Sequence, residues 1–336
     1  MNKQKATDVY GRPDRSRPKS KGYDAGLFIQ DEYAINPYLT LTPVLRWSYY
    51  NRKPTTDNND KFGLASRSDS KVTPGITLTL SPSKQLSFYS SVQTGYRPPF
   101  LDELYTSIEY PEFGMYSVVL PNPDLKTEES INVEIGVNGD YKSLFSDSDR
   151  FVFHANVFRD RVKNLINAGA TGDMDFTDDG DMILYYSIDN VGKALKTGFE
   201  ASADYYPGNA DFHLSYGYLH AEDKNTGEKI PGLTPMQATL RAGYTYKPWN
   251  VNGWYRMRLF KGGKSNLETA WNSGEYKQLG GFATHTLGLT WKPQIKDWAD
   301  FTLTFSVDNI TNKKFRYLNG GYGVGRSYRA WLSATF

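Results

Sequence analysis

Four histidines, His154, His213, His220 and His285, are the first residues to test for chemistry, and none stands at metal-site spacing from another. The carboxylate-rich stretch DMDFTDDGD (173–181) is similar to a calcium loop, but it lacks the spacing and final glutamate of an EF-hand and reads as a solvated acidic loop. The glycine run GGYGVG (320–325) precedes no helix pattern, so it does not cradle a nucleotide. No Ser-His-Asp set or paired-carboxylate constellation stands out, and the chain does not read as an enzyme. What remains is GYRPPFLDELY (95–105), together with a second proline-bearing stretch, Asn122-Pro123-Asp124-Leu125. Proline donates no hydrogen bond to a ladder and biases its predecessor away from helix. Pro98, Pro99, Pro121 and Pro123 therefore end strand pairing and stiffen both feet of a long loop. Arg97 at the first foot presents a planar fork suited to carboxylates.

The elements that carry these feet are strands. Ile131, Val133, Ile135 and Val137 share one face, opposed by Asn132, Glu134, Gly136 and Asn138. Phe199, Ala201, Ala203 and Tyr205 repeat the pattern, and Phe301, Leu303, Phe305 and Val307 show it most clearly against Thr302, Thr304, Ser306 and Asp308. The second face is mostly Thr, Ser, Asn and Gly rather than the Lys and Glu of a soluble sandwich, which suits a water-filled or plugged lumen. Tyrosine and tryptophan gather near strand ends, as at Tyr205, Tyr206, Tyr246, Trp249 and Trp291, where interfacial girdles belong. By parity His154 and His213 face the interior, while His220 and His285 fall on the apolar face nearer the outer side, with His220 the better ligand candidate.

Composition agrees. There are 25 Tyr, 18 Phe and 7 Trp, yet hydrophobic residues make up only 39% of 336. No apolar run reaches the ~18 residues of a membrane helix, while a barrel strand needs only about 9–11 alternating ones. A net charge of +2 gives no basic field for nucleic acid, and zero cysteines rule out disulfides and thiolate metal sites. The N-terminus has no apolar core of a signal peptide. Short connections at 36–38, 81–84, 206–210 and 246–250 alternate with long ones near 54–70, 99–126, 166–182, 221–234 and 262–280. Short turns are periplasmic and long loops external, so the alternation orients the chain. The fold expected is all-β, a transmembrane antiparallel β-barrel with about 13 strands, an odd number where single-chain bacterial barrels use even ones. Residues 1–21 read as the remainder of an external loop, and 22–336 as the C-terminal part of a bigger barrel.

The segments GYDAGLFIQDEYAINPYLTLTPVLRW (22–47), YYSIDNVGKALKTGFEASADYYP (185–207), IPGLTPMQATLRAGYTY (230–246) and VDNITNKKFRY (307–317), in this order, resemble TonB-dependent outer-membrane receptors. The terminal Phe336, closing an alternating strand, resembles the assembly signal of bacterial outer-membrane proteins. The resemblance implies a barrel of about 22 strands around an N-terminal plug that binds TonB, with this chain supplying the last 13 or so strands and no plug.

Within that family, receptors for haem and haemoproteins carry a Phe-Arg-Ala-Pro box and an Asn-Pro-Asn-Leu box at the feet of one external loop. Tyr96-Arg97-Pro98-Pro99 and Asn122-Pro123-Asp124-Leu125 resemble these, departing by two residues and one. Many such receptors place a histidine in the loop as haem ligand, but residues 100–121 hold none. Tyr105, Tyr110 and Tyr116 stand there instead, and phenolate ligates ferric haem. Phe113 and Met115 would pack on the porphyrin face and Arg97 would meet a propionate. The implied ligand is haem, carried as cargo rather than as cofactor; a ferric siderophore is the alternative, and an adhesin barrel a further one. The implied partners are TonB, through a plug outside this chain, and outer-membrane lipid.

Overall fold

Alternation of period two can bury only one face per strand, so strands of this kind must pair edge to edge. A computed structural model shows how, describing residues 20–54, 64–112, 115–177, 180–190, 192–268, 275–293 and 299–335. Phe336 and Phe113 lie outside the described residues, as do 1–19. In chain order the strands are β1 (Ser20–Gln30), β2 (Tyr33–Asn36), β3 (Leu39–Pro54), β4 (Arg67–Ser83), β5 (Leu86–Arg97), β6 (Ile108–Glu112), β7 (Met115–Leu120), β8 (Glu128–Lys142), β9 (Asp149–Lys163) and β10 (Ile166–Phe176). They continue with β11 (Met182–Asn190), β12 (Lys193–Pro207), β13 (Ala210–Asp223), β14 (Met236–Tyr246), β15 (Val251–Phe260), β16 (Gly263–Glu268), β17 (Tyr276–Leu279), β18 (Phe282–Trp291), β19 (Asp300–Asp308) and β20 (Ser327–Thr335). Among the described residues one α-helix, α1, spans Leu101–Tyr105, and a 3-10 turn spans Lys247–Trp249.

The main sheet has fourteen strands in the order β1-β3-β4-β5-β8-β9-β12-β13-β14-β15-β18-β19-β20, with β2 off the path against β3. Removing β2 leaves thirteen wall strands, the number the alternation predicts. All neighbours are antiparallel, as the pairings of β5 with β8 and β12 with β13 illustrate. Sequence order equals spatial order, so the wall is an up-and-down meander. Inner turns are tight: Asn36 accepts the Tyr38 N–H at 2.9 Å, and the Asp149 carboxylate gathers the N–H groups of Leu144, Phe145 and Ser146.

The outward face stays apolar and uncovered, with Ile135, Leu289 and Phe305 each about half exposed, as lipid contact requires. The inward face pairs its polar groups. Glu134 accepts from Asn156 at 2.8 Å and from the Tyr89 hydroxyl, Arg241 meets Asp211, and Arg256 meets Asp308 at 3.2 Å. No described helix is long and apolar enough to cross a membrane.

The external loops differ most from the sequence expectation. They contain strands of their own: β10, β11, β7 and β6 form a separate four-stranded sheet, with β7 and β11 parallel. The connection after β5 and the connection after β9 thus become one structure. α1 was also unexpected, because a single turn of helix shows no periodicity.

Candidate functional site

The buried apolar cluster among the described residues sits at the root of these external loops rather than inside the barrel. It comprises Leu104, Tyr105, Leu125 and Ile166, with Leu64, Leu101 and Ile188 packed against it. Both boxes at the loop feet contribute to its frame. β5 ends at Arg97 because Pro98 and Pro99 offer no N–H, and Pro99 is fully buried. α1 then starts under a cap in which Glu103 accepts the Phe100 N–H at 2.8 Å, satisfying one orphan donor. Its inner side delivers Leu104 and Tyr105 to the cluster.

Arg97 is the hub. It grips Glu128, its cross-strand partner, through Nε at 2.7 Å and Nη2 at 2.6 Å, and reaches Glu103 through Nη1 at 3.0 Å. Glu128 also accepts the Ile166 N–H at 2.8 Å, which ties the next loop into the same clamp. The fork of Arg97 suits a haem propionate, a siderophore carboxylate or an acid of the barrel itself; the structure sets it between two of the chain's own carboxylates. These residues stand above the bilayer, since β8 is 15 residues long and a spanning strand needs about 9–11. Burial alone would raise the Glu128 carboxyl, but the Arg97 fork and the Ile166 amide hold it below the ordinary range. A depressed folded value means that Glu128 contributes stability fully above its unfolded pKa of about 4.3, lost as pH falls through the lower folded value. Loop-amide protection factors, corrected for the intrinsic pH dependence of exchange, should accordingly be flat from neutrality to pH 5 and fall only in stronger acid; a fall already at pH 6 would refute it.

The second foot is held by amides. Asn122 donates to the Ile188 carbonyl at 3.0 Å and to Asp189 at 2.6 Å, while its own oxygen accepts the Asp124 N–H. Asn190 accepts the Lys126 N–H at 2.7 Å and donates to the Lys126 and Asn164 carbonyls. Leu125, 1% exposed, fills the cluster between them. Sequence reasoning missed Glu103, Glu128, Asn190 and Ile166. The signal for Glu128 was present, because counting register back along β8 from Ile131 sets it opposite Arg97.

The tyrosines do not converge. Tyr105 is 1% exposed, and its hydroxyl donates toward the Arg52 and Ala65 carbonyls at 3.0 and 2.9 Å. Burial pushes its phenol pKa up, so it stays protonated. Tyr116 lies part-buried in β7 opposite Ile183, beside Met115, whose β11 neighbour is Met182. Tyr110 belongs to β6 and pairs through its backbone with Ser117; its side chain is outside the described residues. Tyr96 packs its ring 6.4 Å from Tyr50. His220 is near the outer end of β13 and is 3.3 Å from Glu222, which also holds Lys224. His154 bonds Asn138, His213 bonds Asp204, and His285 bonds the Tyr255 hydroxyl. No described group of three His, Cys, Asp or Glu forms a metal site.

An up-and-down wall with short inner turns, a polar lumen and interlocked external loops is the geometry of an outer-membrane receptor barrel. A family model described as TonB dependent receptor-like, beta-barrel, matches residues 2–310. The chain belongs to the TonB-dependent receptor β-barrel family. This receptor chain is 23% identical over 294 residues to Heme/hemopexin utilization protein C of Haemophilus influenzae, covering 83% of the chain and 38% of that protein. It is 26% identical over 260 residues to Hemoglobin and hemoglobin-haptoglobin-binding protein A of Haemophilus influenzae, covering 70% of the chain and 22% of that protein. Among solved structures, a ferric enterobactin receptor variant from Pseudomonas aeruginosa matches with a TM-score of 0.69 and 20% identity, over 94% of this chain and 45% of that one. That likeness speaks for the fold. The receptor chain spans less than half the length of each of these relatives.

Proposed function

We propose that this chain forms the barrel wall and ligand-gathering loops of an outer-membrane receptor for TonB-driven uptake of haem, free or from a haemoprotein. The observation that carries the reading is the junction itself: two boxes resembling those of haem receptors fold into one clamped platform that ties the β10-β11-β7-β6 sheet to the ends of β5 and β8. The names of the relatives, which concern haem, hemopexin and hemoglobin, point the same way. In this reading Arg97, Tyr105, Asn122 and Leu125 position the loops, and the contacts to ligand come from the sheet they carry, with Tyr116, Tyr110 and Met115 as candidates; Phe113, outside the described residues, is proposed alongside them. TonB acts through a plug, and outer-membrane lipid surrounds the wall. A ferric-siderophore receptor is the second reading, favoured by the lack of histidine between residues 100 and 121.

A Soret titration of the complete receptor tests this. Haem is expected to bind with a band that Tyr105→Phe leaves in place, because that phenol is buried and protonated, while Tyr116→Phe or Tyr110→Phe shifts it if phenolate is the axial ligand. No haem-dependent band, with a ferric siderophore quenching intrinsic fluorescence instead, would replace the first reading by the second. Tyr105→Phe should still cost about 1–2 kcal/mol of loop stability through loss of the one hydroxyl hydrogen shared by the Arg52 and Ala65 carbonyls, read by amide exchange at residues 101–106.

A further inference from the structure

Methionine is scarce in this chain, six in 336 residues, yet three stand on one face of the small external sheet. Met115 and Met182 are direct partners across the parallel β7–β11 pair, where strands lie about 4.8 Å apart. On the other flank of β11, Phe176 is opposite Met182 and Met174 is opposite Leu184. Met174 is thus diagonal to Met182, roughly 7–8 Å away and within reach of a long side chain. Opposite and alternate residues share a face, so the three thioethers and the Phe176 ring lie together. One step nearer the platform, Leu184 and Ser117 on the same face are 7% and 6% exposed, and Ile188 packs against the Leu104 cluster. The face is therefore closed at its foot and open at the methionines, where Met174 is 62% exposed. The Ser117 hydroxyl, buried beside this opening, has no hydrogen-bond partner among the described residues.

Donor chemistry and charge then specify the occupant. Val119, Leu184 and Ile188 supply bulk on this face; what methionine adds is a polarisable sulfur with a free lone pair. Thioethers select soft cations such as Cu(I), whereas Ca2+ and Mg2+ take carboxylate and carbonyl oxygens. The sheet is also a cation-gathering element. Residues 108–120 hold two acidic residues and residues 166–190 hold six, with no lysine or arginine in either segment. The field of such a one-signed surface raises the local concentration of cations at the open end of the face. There a hydroxyl without a partner stands ready to complete the shell of a bound ion.

We propose that Met115, Met174 and Met182 form a thioether site for one soft monovalent cation, copper(I) or its analogue silver(I), with the Ser117 hydroxyl alongside. The test uses the complete receptor in chloride-free buffer, with bound silver(I) counted by native mass spectrometry and its neighbouring atoms read by X-ray absorption. Sulfur is expected around the silver of the parent chain, and excess Ca2+ should displace none of it. Each of Met115→Leu, Met174→Leu and Met182→Leu should weaken silver binding by at least the roughly tenfold that losing even an outer-shell partner costs. The triple variant should hold one silver ion fewer per receptor. Leucine nearly conserves the volume of methionine, so heat-modifiable mobility and resistance of the loops to proteolysis should stay as in the parent. Met257→Leu, on the lipid face of β15 opposite Leu240, should change nothing. A parent receptor that takes up no more silver than the triple variant, or silver that Ca2+ displaces and only oxygen surrounds, would overturn the proposal. The readout needs no haem, so failure of the uptake reading would leave it unchanged.

Discussion

Arg97→Ala is expected to free both external loops at once while leaving the barrel wall folded. The substitution strands Glu103 and Glu128, 21% and 14% exposed, without their shared cation. Removing one partner of a buried pair costs about 3–5 kcal/mol when burial is complete. Arg97 itself is 33% exposed, so screening lowers the expectation to about 2–3 kcal/mol. Because Glu128 also receives the Ile166 amide, amide exchange should accelerate after β5 and after β9 together. Ligand affinity of the complete receptor should fall about tenfold or more, as the competent loop arrangement becomes a minor state. Arg97→Ala combined with Glu128→Gln should cost less than the two added separately, the mark of a shared interaction. Additive effects, or loops that stay protected, would show that the clamp holds nothing. Unchanged loops with lost haem binding would instead return Arg97 to the ligand.

Leu125→Ala should act through packing alone. The side chain is 1% exposed among Leu104, Tyr105 and Ile166, and truncating such a leucine costs about 3–4 kcal/mol in transfer and cavity terms. The described apolar cluster is small, so this is a large share of what holds the platform. Limited proteolysis should cut at 106–121 and 167–189, while heat-modifiable mobility of the barrel stays as in the parent. Leu125→Met, which nearly conserves volume, should recover most of the protection. A barrel that melts with its loops still resistant would contradict this division between platform and wall.

Much of this fold was readable in the chain because a barrel strand is a local pattern. Ile131 to Val137 alternate whatever surrounds them, and the prolines after Arg97 end a strand by their own covalent structure. Thirteen wall strands, their direction and the placement of both boxes follow from such signals. The loop residues were only half readable. Arg97 advertised a need for carboxylates, yet its spacing from Glu103 and Glu128 carries no periodicity that links them, and Tyr105 looked like any exposed loop tyrosine. Residues in β6, β7, β10 and β11 gave no clear strand signal, since their partners lie far along the chain and not in a neighbouring hairpin.

By itself, then, the sequence determined the class of solvent on each side of the wall, lipid outside and polar inside, because that choice is written residue by residue at period two. It also determined where the loops begin, because proline acts within its own peptide units. Only the tertiary structure decided that Arg97 is clamped by Glu128 and Glu103, that Tyr105 is buried and protonated, and that β7 lies parallel to β11. Apart from the nearby Arg97–Glu103 pair, those outcomes depend on contacts between residues about 30 to 70 positions apart, as with Arg97 and Glu128 or Met115 and Met182. Their free energy appears only once pairing of the wall strands has already brought the loop feet together.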